Sequence, residues 1–274
     1  SSWSEFMPKG VDKQLFKEFI KYYDEDVFIA AGRRLRNMVK SADNLDPLQR
    51  IGKIVEVIEY FKNPDKETVI TPWRVVNLHL AKTIGGYSFY SDDFGEKIEK
   101  PQRRIVENVT EKVLFKKNPK ILEINSKTGV YPLYVVFSIY QNIIENIGAF
   151  ISDEEKQELW KQIIKNNIFI VCKTKMAKVI TKRTLLGYND GVVNSRYFED
   201  LIMQFKDKSN KIRKKIVEKF LIGGENMFDA VVGNPPYQES KQDTSDAPIY
   251  HYFMSESFKL APRVSLITPG RFLF

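Results

Sequence analysis

Residues 228–237 read Phe-Asp-Ala-Val-Val-Gly-Asn-Pro-Pro-Tyr, and this stretch is more informative than any other part of the chain. Its apolar first half predicts a short buried β-strand. The strand is followed at once by Asn234, Pro235, Pro236 and Tyr237. Ligands of open α/β sheets bind just outside the carboxyl ends of the strands, so these four residues are candidate site residues.

The chemistry of these residues favours recognition of a planar group that carries an exocyclic amine. The Asn234 amide both donates and accepts hydrogen bonds. The two prolines fix successive φ angles and remove two backbone donors, and Tyr237 adds a flat ring. An adenine rotated out of a DNA duplex is such a group. The alternative is a rigid turn at the end of a strand, with the tyrosine as a packing residue.

Asn-Pro-Pro-Tyr resembles the catalytic motif of amino methyltransferases that use S-adenosylmethionine, chiefly the adenine-N6 DNA methyltransferases of restriction–modification systems. The resemblance implies that the Asn234 side chain and the Pro235 carbonyl hydrogen-bond the target amine, with Pro236 completing the turn. It also implies that Tyr237 stacks on the flipped base, and that neither a metal ion nor a covalent intermediate is needed. The same tetrapeptide occurs in methyltransferases that modify a protein glutamine.

The bulk composition is compatible with a DNA methyltransferase but does not distinguish it from other functions. The 274 residues carry a formal net charge of +8, which suits a polyanionic partner such as double-stranded DNA. A single cysteine excludes an internal disulfide, and the two histidines show no metal-ligand spacing. Because no apolar run approaches twenty residues, we expect no membrane span and a cytoplasmic location.

The chain divides by pattern into a helical segment, residues 1–70, and an α/β segment, residues 71–274. In the first, Asp46 is a good N-cap and Pro47 suits the first position of a helix. The second alternates strands with helical stretches, which predicts a doubly wound, Rossmann-like parallel sheet. The predicted strands are 121–124, 168–171, 228–233 and 264–268.

The first predicted strand and the turn after it resemble the family's first cofactor motif, in which an acidic residue ends a strand before a Gly-x-Gly turn. Glu123 matches the acidic position and Gly129 the second glycine. The resemblance implies that these two residues bind S-adenosylmethionine, together with Asn125 and Thr128 of the same turn.

Two departures from the family pattern affect the donor site. Lys127 stands where the first glycine of the turn is expected, so the backbone cannot approach the methionine part of the donor in the usual way. The second strand ends in Cys172, Lys173 and Thr174, with no acid for the ribose hydroxyls. We expect donor binding, but these residues do not indicate which side chain holds the donor adenine.

A second match lies upstream of the first strand. The segment that begins with Thr71 and Pro72 resembles the one that folds over the methionine end of the donor. The order of this segment, then Glu123 and Gly129, then Asn234, is the gamma order of these enzymes. Thr71 and Pro72 also fit the start of a helix, as cap and first residue, and both interpretations can hold together.

Residues 152–224 lengthen the chain between the two motifs and are expected to be partly an insertion. The basic run 206–219 is typical of a solvated helix face, with phosphate contact as the alternative. The segments 181–183 and 194–196 are interpreted as surface loops, with DNA contact as the alternative.

After the motif, residues 238–246 are expected to form a polar loop near the target base, and residues 250–259 a helix. Relative to the family, we expect two further strands and a target-recognition domain beyond residue 274. The chain would then be part of a longer restriction–modification polypeptide, with a motor or nuclease domain before it.

Three functions are therefore open from the sequence. The first is adenine-N6 DNA methylation, and the second is methylation of a protein glutamine. The third is a degenerate, non-catalytic domain that contacts DNA or couples other domains, which Lys127 and the missing acid near Cys172 keep open.

Overall fold

The computed structural model describes residues 11–63, 69–148, 150–207, 209, 211–220, 227–239 and 247–270. The helices before residue 84 are α1 (Lys13–Ile20), α2 (Glu25–Ser41), α3 (Pro47–Glu59) and α4 (Trp73–Thr83). As predicted, α3 begins at Pro47, and the Asp46 carboxylate accepts hydrogen bonds from the backbone N–H groups of Leu48 and Gln49. This cap satisfies donors that the first helical turn leaves without partners.

An antiparallel hairpin follows, which the sequence analysis did not predict. Its strands are β1 (Gly86–Tyr90) and β2 (Lys97–Arg104), and the short helix α5 (Thr110–Val113) comes after it. All five residues of β1 are buried, whereas β2 is largely exposed. The charged sequence of β2 therefore lacks the apolar alternation on which strand prediction depends.

From residue 121 onward strands and helices alternate. The elements are β3 (Ile121–Ser126), α6 (Val130–Ile147), α7 (Asp153–Asn167), β4 (Ile168–Cys172), α8 (Lys175–Leu186), β5 (Asn194–Tyr197), α9 (Leu201–Lys206), α10 (Lys211–Phe220), β6 (Ala230–Gly233), β7 (Gln238–Glu239), β8 (Ala247–Pro248), α11 (Tyr250–Ser257) and β9 (Arg263–Leu266).

The main sheet has five parallel strands in the order β5-β4-β3-β6-β9. The chain runs outward from β3 to β5, then returns to β6 on the other side of β3, so the order reverses between β3 and β6. Helices α6 and α8 pack on one face, and α9, α10 and α11 on the other, each over its own apolar core. The predicted α/β class with a parallel sheet is confirmed.

The prediction that residues 181–183 and 194–196 form surface loops was wrong. Residues 194–196 belong to the edge strand β5, and Ser195 is buried. Residues 181–183 lie in α8, where Thr181 is fully buried. The described part of residues 152–224, which were expected to be partly an insertion, contains two strands of the sheet and the helices beside them.

The helix predicted over residues 250–259 is observed as α11. Most of the predicted polar loop, residues 240–246, and the last four residues lie outside the described residues. Within the part of the chain that the structure describes, none of the helices combines the length and apolar character needed to cross a bilayer.

Candidate functional site

The two motifs predicted to form the site meet where the strand order reverses. Ile124 of β3 is paired with Gly233 of β6. Gly233 has φ +148°, and a Cβ atom added there would lie 2.6 Å from the carbonyl oxygen of Ile124. A glycine is therefore required for the two strands to come this close. Open α/β sheets bind their ligands at this position, the carboxyl ends of the strands at the switch point.

Asn234 is held by its main chain and by its side chain. Its backbone carbonyl accepts hydrogen bonds from Asn125 Nδ2 at 2.9 Å and from Lys127 Nζ at 3.4 Å. Its side-chain nitrogen Nδ2 donates to the hydroxyl of Thr71 at 3.0 Å. The other polar atom of the side chain, Oδ1, is buried and accepts no hydrogen bond from the described residues. Asn234 therefore presents one unused acceptor inside the protein.

The other motif residues surround this amide. Pro235 and Pro236 are buried, and Tyr237 is the most exposed of the four. Burial raises the pKa of the Tyr237 hydroxyl, and a hydrogen bond with the Asn234 side chain partly opposes that shift. Because Asn234 Oδ1 is buried, a ligand could reach it only after neighbouring side chains move.

Glu123 directly precedes Ile124 on β3, is paired with Val232 of β6, and is buried. Desolvation raises its pKa to about 8, although the Ser126 hydroxyl and the Lys127 ammonium favour the charged form. Its Oε2 atom has no hydrogen-bond partner among the described residues. A buried carboxyl group without a full set of partners is typical of a ligand site.

The turn after β3 is covered by α8. Gly129 has φ +78° and is the N-cap of α6, and a Cβ atom added there would lie 3.1 Å from the Cα atom of Thr181. The Thr128 carbonyl accepts a 2.6 Å hydrogen bond from Thr184, and Ser126 and Thr181 share one of 3.0 Å. The predicted Gly-x-Gly turn is therefore a tight turn, with Lys127 at the first glycine position.

The expected roles of Thr71 and Pro72 as cap and first residue of a helix were wrong. Helix α4 begins at Trp73, Pro72 occupies the N-cap position, and no side chain caps the helix. Thr71 is buried and its hydroxyl serves Asn234 instead, whereas Pro72 is exposed.

Sequence reasoning missed a polar network beside the motif. His79 Nδ1 lies 3.1 Å from the Tyr131 hydroxyl, and His79 Nε2 lies 2.8 Å from Ser265 Oγ at the end of the sheet. Burial lowers the pKa of His79 to about 4, and the pKa of Tyr131 is raised by burial and by the charges of Glu123 and Tyr237. His79 shows no metal-ligand spacing in the sequence, and no local signal marks its partners.

The structure thus brings most of the predicted site residues together. Thr71, Asn125, Asn234 and Tyr237 are linked by hydrogen bonds, and Glu123 lies close enough to Tyr131 to influence its pKa. Thr128 and Gly129 form the adjoining turn, Pro235 and Pro236 are buried within the motif, and Pro72 is exposed.

The second strand ends as the sequence indicated. Cys172 is buried, and the Thr174 side chain caps α8 by accepting a hydrogen bond from the N–H of Ala177. An open surface cleft lies beyond the edge strand β5, two strands away from β3. Its lining residues are Glu199, Asp200, Gln204, Lys215, Glu218 and Lys219.

The five-stranded parallel sheet has helices on both faces and a buried polar site where the strand order reverses. This arrangement places the protein in the class of doubly wound α/β proteins. Residues 166–274 match the family described as Eco57I restriction-modification methylase. This range holds β4, β5, β6 and β9 of the sheet and the whole Asn-Pro-Pro-Tyr motif. The resemblance to methylases of restriction–modification systems is thereby confirmed over this part of the chain.

One solved structure that aligns with the chain is an ATP-dependent Type ISP restriction-modification enzyme LlaBIII bound to DNA. The TM-score is 0.39 and the sequence identity 14%, and the alignment covers 75% of this chain and 13% of that protein. The chain therefore spans only a small part of the length of this relative. No curated protein matches the chain.

Proposed function

We propose that this site binds S-adenosylmethionine and that the protein transfers the methyl group to the N6 amine of an adenine in DNA. The single observation that carries the proposal is the Oδ1 atom of Asn234, which lies buried at the switch point of the sheet without a hydrogen-bond partner among the described residues. A buried acceptor without a partner costs about 1–3 kcal/mol, so a site that keeps one is suited to a ligand that donates an N–H group.

The surroundings fit a methyl donor that carries an ammonium group. Besides Asn234 Oδ1, the unpaired buried acceptors among the described residues include Glu123 Oε2 and Asn125 Oδ1. Asn125 and Asn234 lie at the ends of β3 and β6, and Glu123 lies two positions before Asn125 on β3. We assign Glu123, Asn125, Thr128 and Gly129 to the donor. The exposed Pro72 is the weakest member of the predicted cofactor set.

In this proposal Asn234 Oδ1 and the Pro235 carbonyl accept hydrogen bonds from the target amine and orient its lone pair, while Tyr237 stacks on the base. When bound, S-adenosylmethionine would supply an electrophilic methyl carbon, with the electrons of its carbon–sulfur bond leaving on sulfur and the surplus amine proton passing to solvent. Extruding the base costs a few kcal/mol of unstacking, which contacts with the motif offset.

The test is an Asn234→Ala variant of the full-length protein, assayed with tritiated S-adenosylmethionine and duplex DNA. We expect methyl transfer to fall below detection, while thermal stability and donor affinity by calorimetry stay close to wild type. Asn146→Ala, at an exposed position near the other end of α6, is the matched control and is expected to stay active. An Asn234→Ala variant with wild-type activity would contradict the proposal.

The same assay separates the remaining functions. A protein that presents an accessible glutamine is offered beside duplex DNA, and label in that protein alone would favour a glutamine methyltransferase. No heat on titration with millimolar donor, together with no transfer to either substrate, would favour the non-catalytic alternative.

A further inference from the structure

We propose that Thr71 is a positioning residue for methyl transfer, and that it acts through the side chain of Asn234. Its hydroxyl would hold the amide in the one orientation that presents Oδ1 to the target amine. This inference rests on the proposed function and deepens it, because it assigns to Thr71 a role distinct from donor binding.

The geometry leaves the side-chain amide of Asn234 as the part of the residue that still needs fixing. The main chain is already held, because Asn125 and Lys127 both donate to the Asn234 carbonyl. The preceding residue, Gly233, has no room for a side chain, because an added Cβ atom would lie 2.6 Å from the Ile124 carbonyl oxygen. The backbone at this corner is therefore confined. Thr71 restrains the rotation of the amide about its last torsion angle, and the hydrogen bond between Tyr237 and the Asn234 side chain acts on the same group.

That rotation matters because the two ends of an amide have nearly the same shape and opposite hydrogen-bonding character. With Oδ1 towards the target, the amide accepts from the amine. Turned by half a revolution, it would present N–H donors to an amine that also donates. In the structure the Thr71 hydroxyl oxygen accepts from Nδ2 at 3.0 Å, and this hydrogen bond holds the amide in the first orientation. Thr71 is itself buried, so water competes little for this hydrogen bond.

The role differs in its measurable consequence from binding the donor. A residue that only binds the donor changes the donor affinity, whereas a residue that orients the accepting group changes the rate of the bound complex. The deciding quantity is therefore the single-turnover rate at saturating donor and DNA, which is independent of product release.

The experiment compares Thr71→Val with Thr71→Ser in the full-length protein. Valine keeps the shape but removes the hydroxyl, and serine keeps the hydroxyl but removes the methyl group. We expect Thr71→Val to lower the single-turnover rate by about 10- to 100-fold, in the range of a small misplacement of a catalytic group. Thr71→Ser should stay within about threefold of wild type, since it retains the hydrogen-bond acceptor that positions the amide.

Thr110→Val is the matched control for the loss of a buried threonine hydroxyl. Thr110 is the first residue of α5 and is not part of the motif. It is fully buried, and its hydroxyl accepts a 2.8 Å hydrogen bond from the N–H of Val106. It should lower the melting temperature without lowering the single-turnover rate. Circular dichroism of every variant at the assay temperature shows whether it is folded.

A Thr71→Val rate within twofold of wild type would overturn the inference, whatever happens to donor affinity. A Thr71→Ser rate as low as that of Thr71→Val would also overturn it, since packing and not the hydroxyl would then matter. If either of these results is obtained while Asn234→Ala is inactive, only the role of Thr71 is refuted. An active Asn234→Ala variant refutes the proposed function itself.

Discussion

The side-chain nitrogen of Asn125, in the last part of β3, donates a 2.9 Å hydrogen bond to the backbone carbonyl of Asn234, which directly follows β6. Both residues are buried, and 109 positions of sequence separate them. The bond crosses the point where the strand order reverses. It ties the turn expected to hold the donor to the motif expected to hold the target.

Replacing Asn125 should separate two contributions to this link. Asn125 has φ +61°, a left-handed conformation that costs most residues other than glycine roughly 1–2 kcal/mol. We expect Asn125→Ala to lower the free energy of unfolding by about 2 kcal/mol, from the lost hydrogen bond and the strain together. Asn125→Gly loses the bond but not the fit to the left-handed region, so it should cost about 1 kcal/mol less. Urea titration measures both, and equal costs would show that the backbone conformation contributes nothing.

The close approach at Gly233 predicts a severe effect of a single methyl group. Gly233→Ala places a Cβ atom 2.6 Å from the Ile124 carbonyl oxygen, so β3 and β6 must move apart. We expect a loss of roughly 2–4 kcal/mol of unfolding free energy. Gly148→Ala is the control, because Gly148 also has a positive φ but nothing lies within 4 Å of an added Cβ. It should cost only about 1 kcal/mol, and equal costs in urea titrations would contradict the steric argument.

Glu123 should make the free protein less stable as the solution becomes alkaline. Its pKa is raised from 4.5 to about 8 in the folded state, so the folded state holds the proton more firmly than the unfolded state. The associated stability is fully present below pH 4.5 and is lost as the pH rises towards 8. Glu123→Gln removes the titration, and it should be more stable than wild type at pH 8.5 by roughly 1–3 kcal/mol.

Thermal unfolding of wild type and Glu123→Gln between pH 5 and 9 checks this, in steps of about half a pH unit so that the window set by the pKa near 8 is resolved. The exposed Glu158→Gln on α7 is the control and should show no such gain. A gap between wild type and Glu123→Gln that stays constant across this range would disprove the assignment of the shift to Glu123.

His79 should have the opposite dependence on pH. Its pKa is lowered from 6.5 to about 4 by burial, so the unfolded state binds the proton more firmly. The stability that neutral His79 confers is complete above pH 6.5 and is lost as the pH falls towards 4. Since one pKa unit corresponds to about 1.4 kcal/mol, the loss approaches about 3 kcal/mol at pH 4.

His79→Gln keeps polar contacts towards Tyr131 and Ser265 but cannot take up a proton in this range. The difference in unfolding free energy between wild type and variant should therefore shrink on acidification from pH 7 to 4. His251→Gln, at the exposed second histidine, is the control. A difference that does not change with pH would mean that His79 does not titrate as proposed.

The features of the fold that the sequence predicted are those with a local cause. Alternating apolar runs and helical periods depend on neighbouring residues, so they indicated the parallel sheet and the start of α3 at Pro47. Asn234 was identifiable for the same reason, because a rigid Pro-Pro turn directly after a buried strand can be recognised without any distant contact. Strand β5 was missed because its residues, Asn-Ser-Arg-Tyr, are those of an edge strand that is only partly buried.

What only the tertiary structure decided is which distant side chains complete the site. Nothing in the residues around Thr71 indicates that its hydroxyl accepts from an amide 163 positions later. The same holds for His79, which is joined to Ser265 across 186 positions. The physical reason is that the sequence determines where each strand and turn forms, whereas the partner of a buried polar group depends on which elements pack against it once the sheet has assembled.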